Sequence, residues 1–186
     1  MQEILDKWGI KIKYDTVLSM WNESHRHYHN QSHLVDLIDQ INNYYKNKSN
    51  KLSNKEYEKL LISSLFHDII YDPLKENNEE MLSNFFLNLC EDKNHDIIEI
   101  SKIILDTKND SSINELSNLF SSFDMNIVTR DYNSLLEWES GIREEYSLYS
   151  TEEYKIGRIG FLEGLLDKYP SNSNNLIRLI SFVKDN

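Results

Sequence analysis

Apolar residues recur along most of this chain with the spacing of amphipathic helices. One stripe covers three turns after His33, and the isoleucine run at 97–104 is long and does not alternate, which favours a helix over the alternative of a strand. With 5 Gly and 2 Pro, the chain also has few turn residues for a many-stranded fold. We expect an all-α protein, a single helical bundle of about seven to nine helices. The helices identified individually begin near Leu34, Ser53, Asn77, Ile97, Asp131, Ser150 and Leu176.

Capping patterns mark several of these helix starts. Ser53 and Ser150 are each followed three positions later by Glu, which is the spacing of a capping box. Asp131 is a favourable N-cap for a third helix. The pattern predicts that the helix after Ser53 runs to about Asp68 and that the helix after Asp131 runs through Tyr149.

Length and charge narrow the possible functions. A chain of 186 residues predicts one domain over 1–186, and its net charge of −11 argues against binding to duplex nucleic acid or to an anionic membrane. We found no apolar run long enough to span a bilayer and no signal-peptide core, and Cys90 is the only cysteine, which predicts a cytoplasmic protein. An acidic protein that handles an anionic substrate needs arginine or a metal ion to cancel the repulsion.

Four of the six histidines fall in one short segment, at His25, His27, His29 and His33. If His29 and His33 are both helical, their spacing of four places them on one face. His67 and Asp68 end an apolar helix, where a buried carboxylate beside an imidazole is costly unless it is paired or bound to a cation. Each motif alone is also compatible with a structural role, but together they suggest mixed imidazole and carboxylate ligands for a divalent ion.

This order of motifs resembles that of the HD-domain superfamily of metal-dependent phosphohydrolases, which are all-helical. The chain is similar over about residues 8 to 180 to a bacterial subfamily of predicted HD phosphohydrolases, and the run from Tyr28 to His33 resembles the signature of cyclic-nucleotide phosphodiesterases, which share the fold. The similar segments are 26–33, 66–72, 78–80, 142–146, 157–158 and 175–176.

The resemblance implies a divalent metal cofactor, one ion or two, with Mn, Mg, Zn, Fe and Co all left open. The implied ligands are His33, His67, Asp68 and Asp124. Relatives show an Asp-x-Asp-Leu pattern around Asp124, whereas Ser122 stands at the first Asp here, and Asp110 stands where the subfamily tends to have His. These departures affect the surroundings of the metal and leave the implied ligand set intact.

The predicted chemistry is attack of a metal-activated water on phosphorus. His29 is the candidate general acid, because it lies one turn before His33, and a structural histidine is the alternative. Asp68 is a candidate both as a ligand and as a bridge to a second ion. Side chains predicted to contact phosphate, or alternatively to form salt bridges, are Arg26, Arg143 and Arg158. Side chains predicted to orient water or a ligand are Asp72, Asn78 and Glu79.

We therefore expect an enzyme that hydrolyses a small phosphoester, with nucleotides among the candidates, and leave its oligomeric state open. The first alternative is a non-catalytic HD module that binds a nucleotide or metal and signals to a partner. A di-iron oxygenase is the next, but it needs further histidines after the His-Asp pair, where only His95 is present. A purely structural helical protein explains the stripes but not the clustered histidines. His95 itself is predicted to lie in a surface helix cap, and Cys90 in the core.

Overall fold

The computed structural model describes residues 1–75, 77–108 and 114–186, so that Asp110 lies outside the described residues. Within these ranges no strand is present, and one antiparallel bridge joins Ile10 and Cys90. The all-α prediction is confirmed, with more helices than predicted. The described residues form ten α-helices, α1 Gln2–Lys7, α2 Tyr14–Trp21, α3 Gln31–Lys46, α4 Asn54–Phe66, α5 Asn78–Leu89, α6 His95–Asp106, α7 Glu115–Asp124, α8 Tyr132–Glu145, α9 Thr151–Leu166 and α10 Ser173–Asp185, and two 3₁₀ helices, Met125–Thr129 and Pro170–Asn172.

Side-chain caps mark several of the helix starts. Both predicted capping boxes are present, with the Ser53 and Ser150 side chains accepting the N–H three residues later. The Asp131 carboxylate likewise accepts two N–H groups at the start of α8. However, α8 ends at Glu145, so the prediction that it continues through Tyr149 was wrong. The chain must turn before Ser150, whose N-cap role requires a non-helical backbone.

Two compact units divide the chain, one from Met1 to Phe123 and one from Asp124 to Asn186, here called the first unit and the second unit. In the first unit α4 is central and contacts α1, α3 and α6. These contacts bury its residues from Lys59 to Phe66. In the second unit α10 packs against α8 and α9. None of the described helices is both long and apolar enough to cross a bilayer.

Two residues set apart from the main histidine cluster lie close to where the sequence suggested. Cys90 is buried, its thiol donates to the carbonyl of Phe86 at 3.3 Å, and burial raises its pKa to about 11. His95 is the exposed first residue of α6. The cap itself is Asn94, whose side chain accepts the N–H groups of the second and third helical residues.

Candidate metal centre

His33 lies at the start of α3, which fixes its position. Asn30 is the N-cap, and its side chain accepts the N–H of Ser32 at 2.8 Å, so His33 lies in the first helical turn. His29 precedes this cap and is not helical, so the condition that both histidines share a helix face is not met. The rings of His29 and His33 are nevertheless close, with centroids 6.0 Å apart.

His67 is placed by the end of the central helix α4, where it is the C-cap and is 1% exposed. Its Nδ1 lies 3.0 Å from the carbonyl oxygen of Ser64. Because a carbonyl oxygen can only accept, Nδ1 carries the proton. In the neutral ring Nε2 then holds the lone pair, which is the state of a metal-ligating imidazole.

The two imidazoles converge through their Nε2 atoms, which are 3.3 Å apart. Asp68 brings carboxylate oxygen Oδ2 to 3.2 Å from the same Nε2 of His67. Lone pairs and negative oxygens at such distances repel unless a proton or a cation lies among them. Two nitrogens bound to one ion at about 2.0–2.1 Å are separated by roughly 2.8–3.4 Å for octahedral to tetrahedral angles. The donor set therefore fits a divalent ion.

Asp124 is the last residue of α7, whose other residues belong to the first unit. One donor atom each of His33, His67 and Asp124 lies within 4.8 Å of the other two. Asp68 is not a member of this group, although its oxygen is close to His67. Three of the four implied ligands, His33, His67 and Asp124, are thus close enough to share one ion, and Asp68 lies beside His67. Ser122 is exposed and its hydroxyl donates to the carbonyl of Leu119 at 2.7 Å.

Aromatic rings surround the two imidazoles. Trp21 lies 5.4 Å from the His67 ring and is itself fixed by an Nε1–H bond of 3.0 Å to the carbonyl of Leu65. The ring centre of Phe120, on α7, also lies 5.4 Å from that of His67, and the ring centre of Tyr28 lies 5.0 Å from that of His33. Such an apolar surround limits water access and strengthens electrostatic interactions inside.

The candidate general acid His29 adjoins the carboxylate of Asp68, with Nε2 and Oδ2 3.9 Å apart. Its ring lies 4.3 Å from that of Tyr71 at 33°, and its side chain is 19% exposed. The ring is thus held between an aromatic face and a carboxylate, at the border between the buried imidazoles and solvent.

Arg26 has a different environment from the one the sequence suggested. Its guanidinium is buried and donates to the backbone carbonyls of His29, Asp68 and Ile69, as well as to the carboxylate of Glu23. These contacts join the segment before α3 to the segment after α4. A contact with phosphate stays a prediction, and it would require these bonds to break.

Arg143 and Arg158 lie in the second unit. Arg143 donates to the carbonyl of Tyr146 at 2.9 Å and lies 4.7 Å from the centre of the Tyr154 ring. Arg158 is buried and its Nε donates to the carboxylate of Glu139 at 2.7 Å. Arg158 therefore forms the interhelix salt bridge that was the alternative expectation, and a phosphate contact for either arginine stays a prediction.

Asp72 and Asn78 are bonded to each other across the loop that precedes α5. The Asn78 amide donates to the Asp72 carbonyl at 2.8 Å, and the Asp72 carboxylate accepts the N–H of Leu74 at 3.0 Å. This backbone bond, followed by the contact with Lys75, lowers the pKa of Asp72. Glu79 lies in the first turn of α5. Their predicted role in orienting water or a ligand stays a prediction.

No protein-family model matches this chain, and neither a curated protein nor a solved structure matches it. Sequence reasoning missed the Ser64 carbonyl that fixes the tautomer of His67, since backbone acceptors have no signature in residue identity. It gave Trp21 no place in the candidate site, although the ring of that residue contacts both imidazoles.

Proposed function

We propose that this protein is a metal-dependent phosphohydrolase of the HD type that acts on a small phosphoester. The observation that supports it most directly is the approach of the His33 and His67 Nε2 atoms to 3.3 Å, with carboxylates of Asp68 and Asp124 beside them. A divalent ion bound by these side chains supplies Lewis acidity, which activates water and neutralises phosphoryl charge. That neutralisation matters for a chain of net charge −11.

The residues around the ligands have separate tasks in this proposal. His29 delivers a proton to the leaving oxygen, because its ring is close to the Asp68 carboxylate but more exposed than the two ligand imidazoles. The Asp68 carboxylate lies 3.9 Å from Nε2 of His29 and attracts that ring when it carries the proton. Trp21 and Phe120 keep bulk water away from His67.

The test begins with chelator-treated protein, titrated calorimetrically with Mn²⁺, Zn²⁺, Fe²⁺, Co²⁺ and Mg²⁺. The loaded protein is then assayed on phosphomonoesters, phosphodiesters and nucleotides. Asp124→Asn should weaken metal binding, because it removes an anionic ligand. His29→Asn should retain the metal and lower turnover by about 10²–10⁴-fold. His27→Asn is the matched control, since it changes an exposed histidine of the same segment.

Absence of metal binding in the wild-type protein would contradict the proposal, as would equal turnover in wild type and His29→Asn. Tight nucleotide binding without turnover would instead identify a non-catalytic binding module. The departure at Ser122 from the Asp-x-Asp-Leu pattern keeps that second candidate open. The oxygenase alternative gains no support from His95, which lies in a separate group with Asp96 and Glu99.

A further inference from the structure

Arg26 links the two chain segments that carry His29 and Asp68. Its Nη1 donates to the carbonyl oxygen of His29 at 3.0 Å and to that of Asp68 at 2.7 Å. Its Nη2 donates to the carbonyl of Ile69 at 3.0 Å. One guanidinium therefore binds backbone atoms of both chain segments, the one that carries His29 and the one that carries Asp68.

Most donors of the guanidinium are engaged within the protein. Nε donates to the Glu23 carboxylate at 3.0 Å, so these bonds use four of the five N–H donors of an arginine. The side chain has 0% exposure, and its charge lies 5.6 Å from the Trp21 ring and 5.8 Å from the Tyr71 ring. A side chain with this burial and bonding does not face a substrate.

We infer that Arg26 is a positioning residue that acts on catalysis through His29 and Asp68. The inference rests on the proposed function. By holding both backbones, Arg26 sets the approach of the His29 ring to the Asp68 carboxylate, whose Nε2 and Oδ2 atoms are 3.9 Å apart. Without the guanidinium, the segment before α3 loses its two bonds to the carbonyls of Asp68 and Ile69, and the backbone of the proton donor is held less firmly.

The planar fork of arginine is required for this role. Its donors diverge in one plane and reach three carbonyls and a carboxylate at once, whereas a lysine ammonium is a compact point charge. Arg26→Lys should therefore keep the positive charge but lose the alignment of the two backbone segments. Arg26→Gln removes both.

The experiment compares Arg26→Lys and Arg26→Gln with Arg178→Lys, a control that changes an exposed arginine stacked on Tyr132. Rates are measured at saturating Mn²⁺ on the best phosphoester found for the wild type. Both Arg26 variants should lower kcat by about 10–100-fold, the range found for groups that support metal ligands, with KM changed by less than about 3-fold. A raised KM with unchanged kcat would overturn the inference in favour of a phosphate contact.

A double-mutant cycle separates positioning from a general loss of structure. In the His29→Asn background, Arg26→Gln should lower kcat by less than about 3-fold, because the group that it positions is already gone. The same full loss in both backgrounds would overturn the inference.

Hydrogen exchange of the metal-free protein gives a readout that needs no activity. In Arg26→Gln, the amides of 23–30 and of 67–70 should both exchange faster than in the wild type, while those of α9 and α10 remain unchanged. In Arg178→Lys, the amides of 23–30 and 67–70 should exchange at the wild-type rate. Faster exchange in 23–30 alone would overturn the inference even in an active enzyme. A wild type that binds no metal would defeat the proposed function, and the exchange result would still decide whether Arg26 joins the two segments.

Discussion

Among the residues that the structure describes, two groups of histidine and carboxylate side chains meet the same distance requirement for a cation, yet their surroundings differ. In each group one donor atom per residue lies within 4.8 Å of the others. The groups are His33, His67 and Asp124 in the candidate metal centre, and His95, Asp96 and Glu99 on α6, here called the α6 group.

The carboxylates of the α6 group already form salt bridges with lysine ammonium groups. Asp96 contacts Lys55 at 2.6 Å and Lys59 at 2.8 Å, and Glu99 contacts Lys59 at 2.5 Å. These ammonium groups supply the positive charge that the carboxylates require, and they repel a divalent ion. The α6 group is therefore a salt-bridge network with an exposed histidine at its edge.

The candidate metal centre has the opposite character. Its imidazoles are buried, and the Ser64 carbonyl fixes the proton of His67 on Nδ1. The remaining nitrogen of His67 faces Nε2 of His33 and the carboxylate of Asp68. The comparison teaches that proximity is insufficient, and that tautomer, burial and existing charge partners separate a cation site from a salt-bridge network.

The largest expected effect comes from deleting one imidazole of the candidate metal centre. His67→Ala should weaken Mn²⁺ or Zn²⁺ binding by more than about 100-fold, which is beyond the range for groups that merely support ligands. His95→Ala, the matched change in the α6 group, should leave the affinity unchanged. Calorimetric titration measures both, with circular dichroism to verify helix content. Loss of binding in His95→Ala alone would reverse the comparison.

A smaller effect is expected from removing the cation that the α6 group already contains. Lys59 is 6% exposed and holds two carboxylates, so Lys59→Met should lower the free energy of unfolding by about 1–3 kcal/mol, below the range for fully buried pairs. Lys55→Met, which changes a lysine with 61% side-chain exposure, should cost less than about 1 kcal/mol. Urea denaturation measures both. Equal costs would show that burial does not distinguish these lysines.

The smallest effect concerns the pH dependence of the α6 group. Hydrogen bonds from Lys55 and Lys59 lower the pKa of Asp96 below its ordinary value of 3.8. The Asp96 carboxylate therefore contributes stability above pH 3.8 that is lost as the pH falls through the lower, folded-state pKa. Asp96→Asn should be less stable than wild type at pH 7, and the difference should shrink below pH 3.8.

Thermal unfolding at several pH values checks this, with Asp92→Asn as the control on the exposed loop before α6. A difference between wild type and Asp96→Asn that stays constant down to pH 2 would show that ionisation of Asp96 is not responsible.

The sequence predicted the helices whose signals are local. Ser53 and Ser150 have their partners three residues away, and the stripe after His33 spans enough turns to be periodic. By contrast, α1 and α2 contain 6 and 8 residues, which is too short for a clear period, and neither has a side-chain N-cap bond. Helix α7 has buried Leu116 and Phe120 one turn apart, a signal that was available but was not used.

For the candidate metal centre, residue types were predictable and their alignment was not. His33, His67 and Asp124 came from a motif that names side chains, and these meet in space. The N-cap Asn30 could have shown that His29 lies before the helix, since Asn is favoured there. The environment of Arg26 could not be predicted, because its main partners are carbonyl groups that every residue possesses.

The location of His67 at the end of α4 would couple binding of a cation at the candidate metal centre to the stability of the fold. That helix is the central one of the first unit. His67 is its C-cap, and its last turn supplies the Ser64 carbonyl that orients the His67 ring. A ligand that binds only the folded state adds RT ln(1 + [L]/Kd) to stability, or about 2.7 kcal/mol at 100 times Kd. Cation concentration should therefore tune the melting temperature, which makes heat resistance a direct gauge of loading.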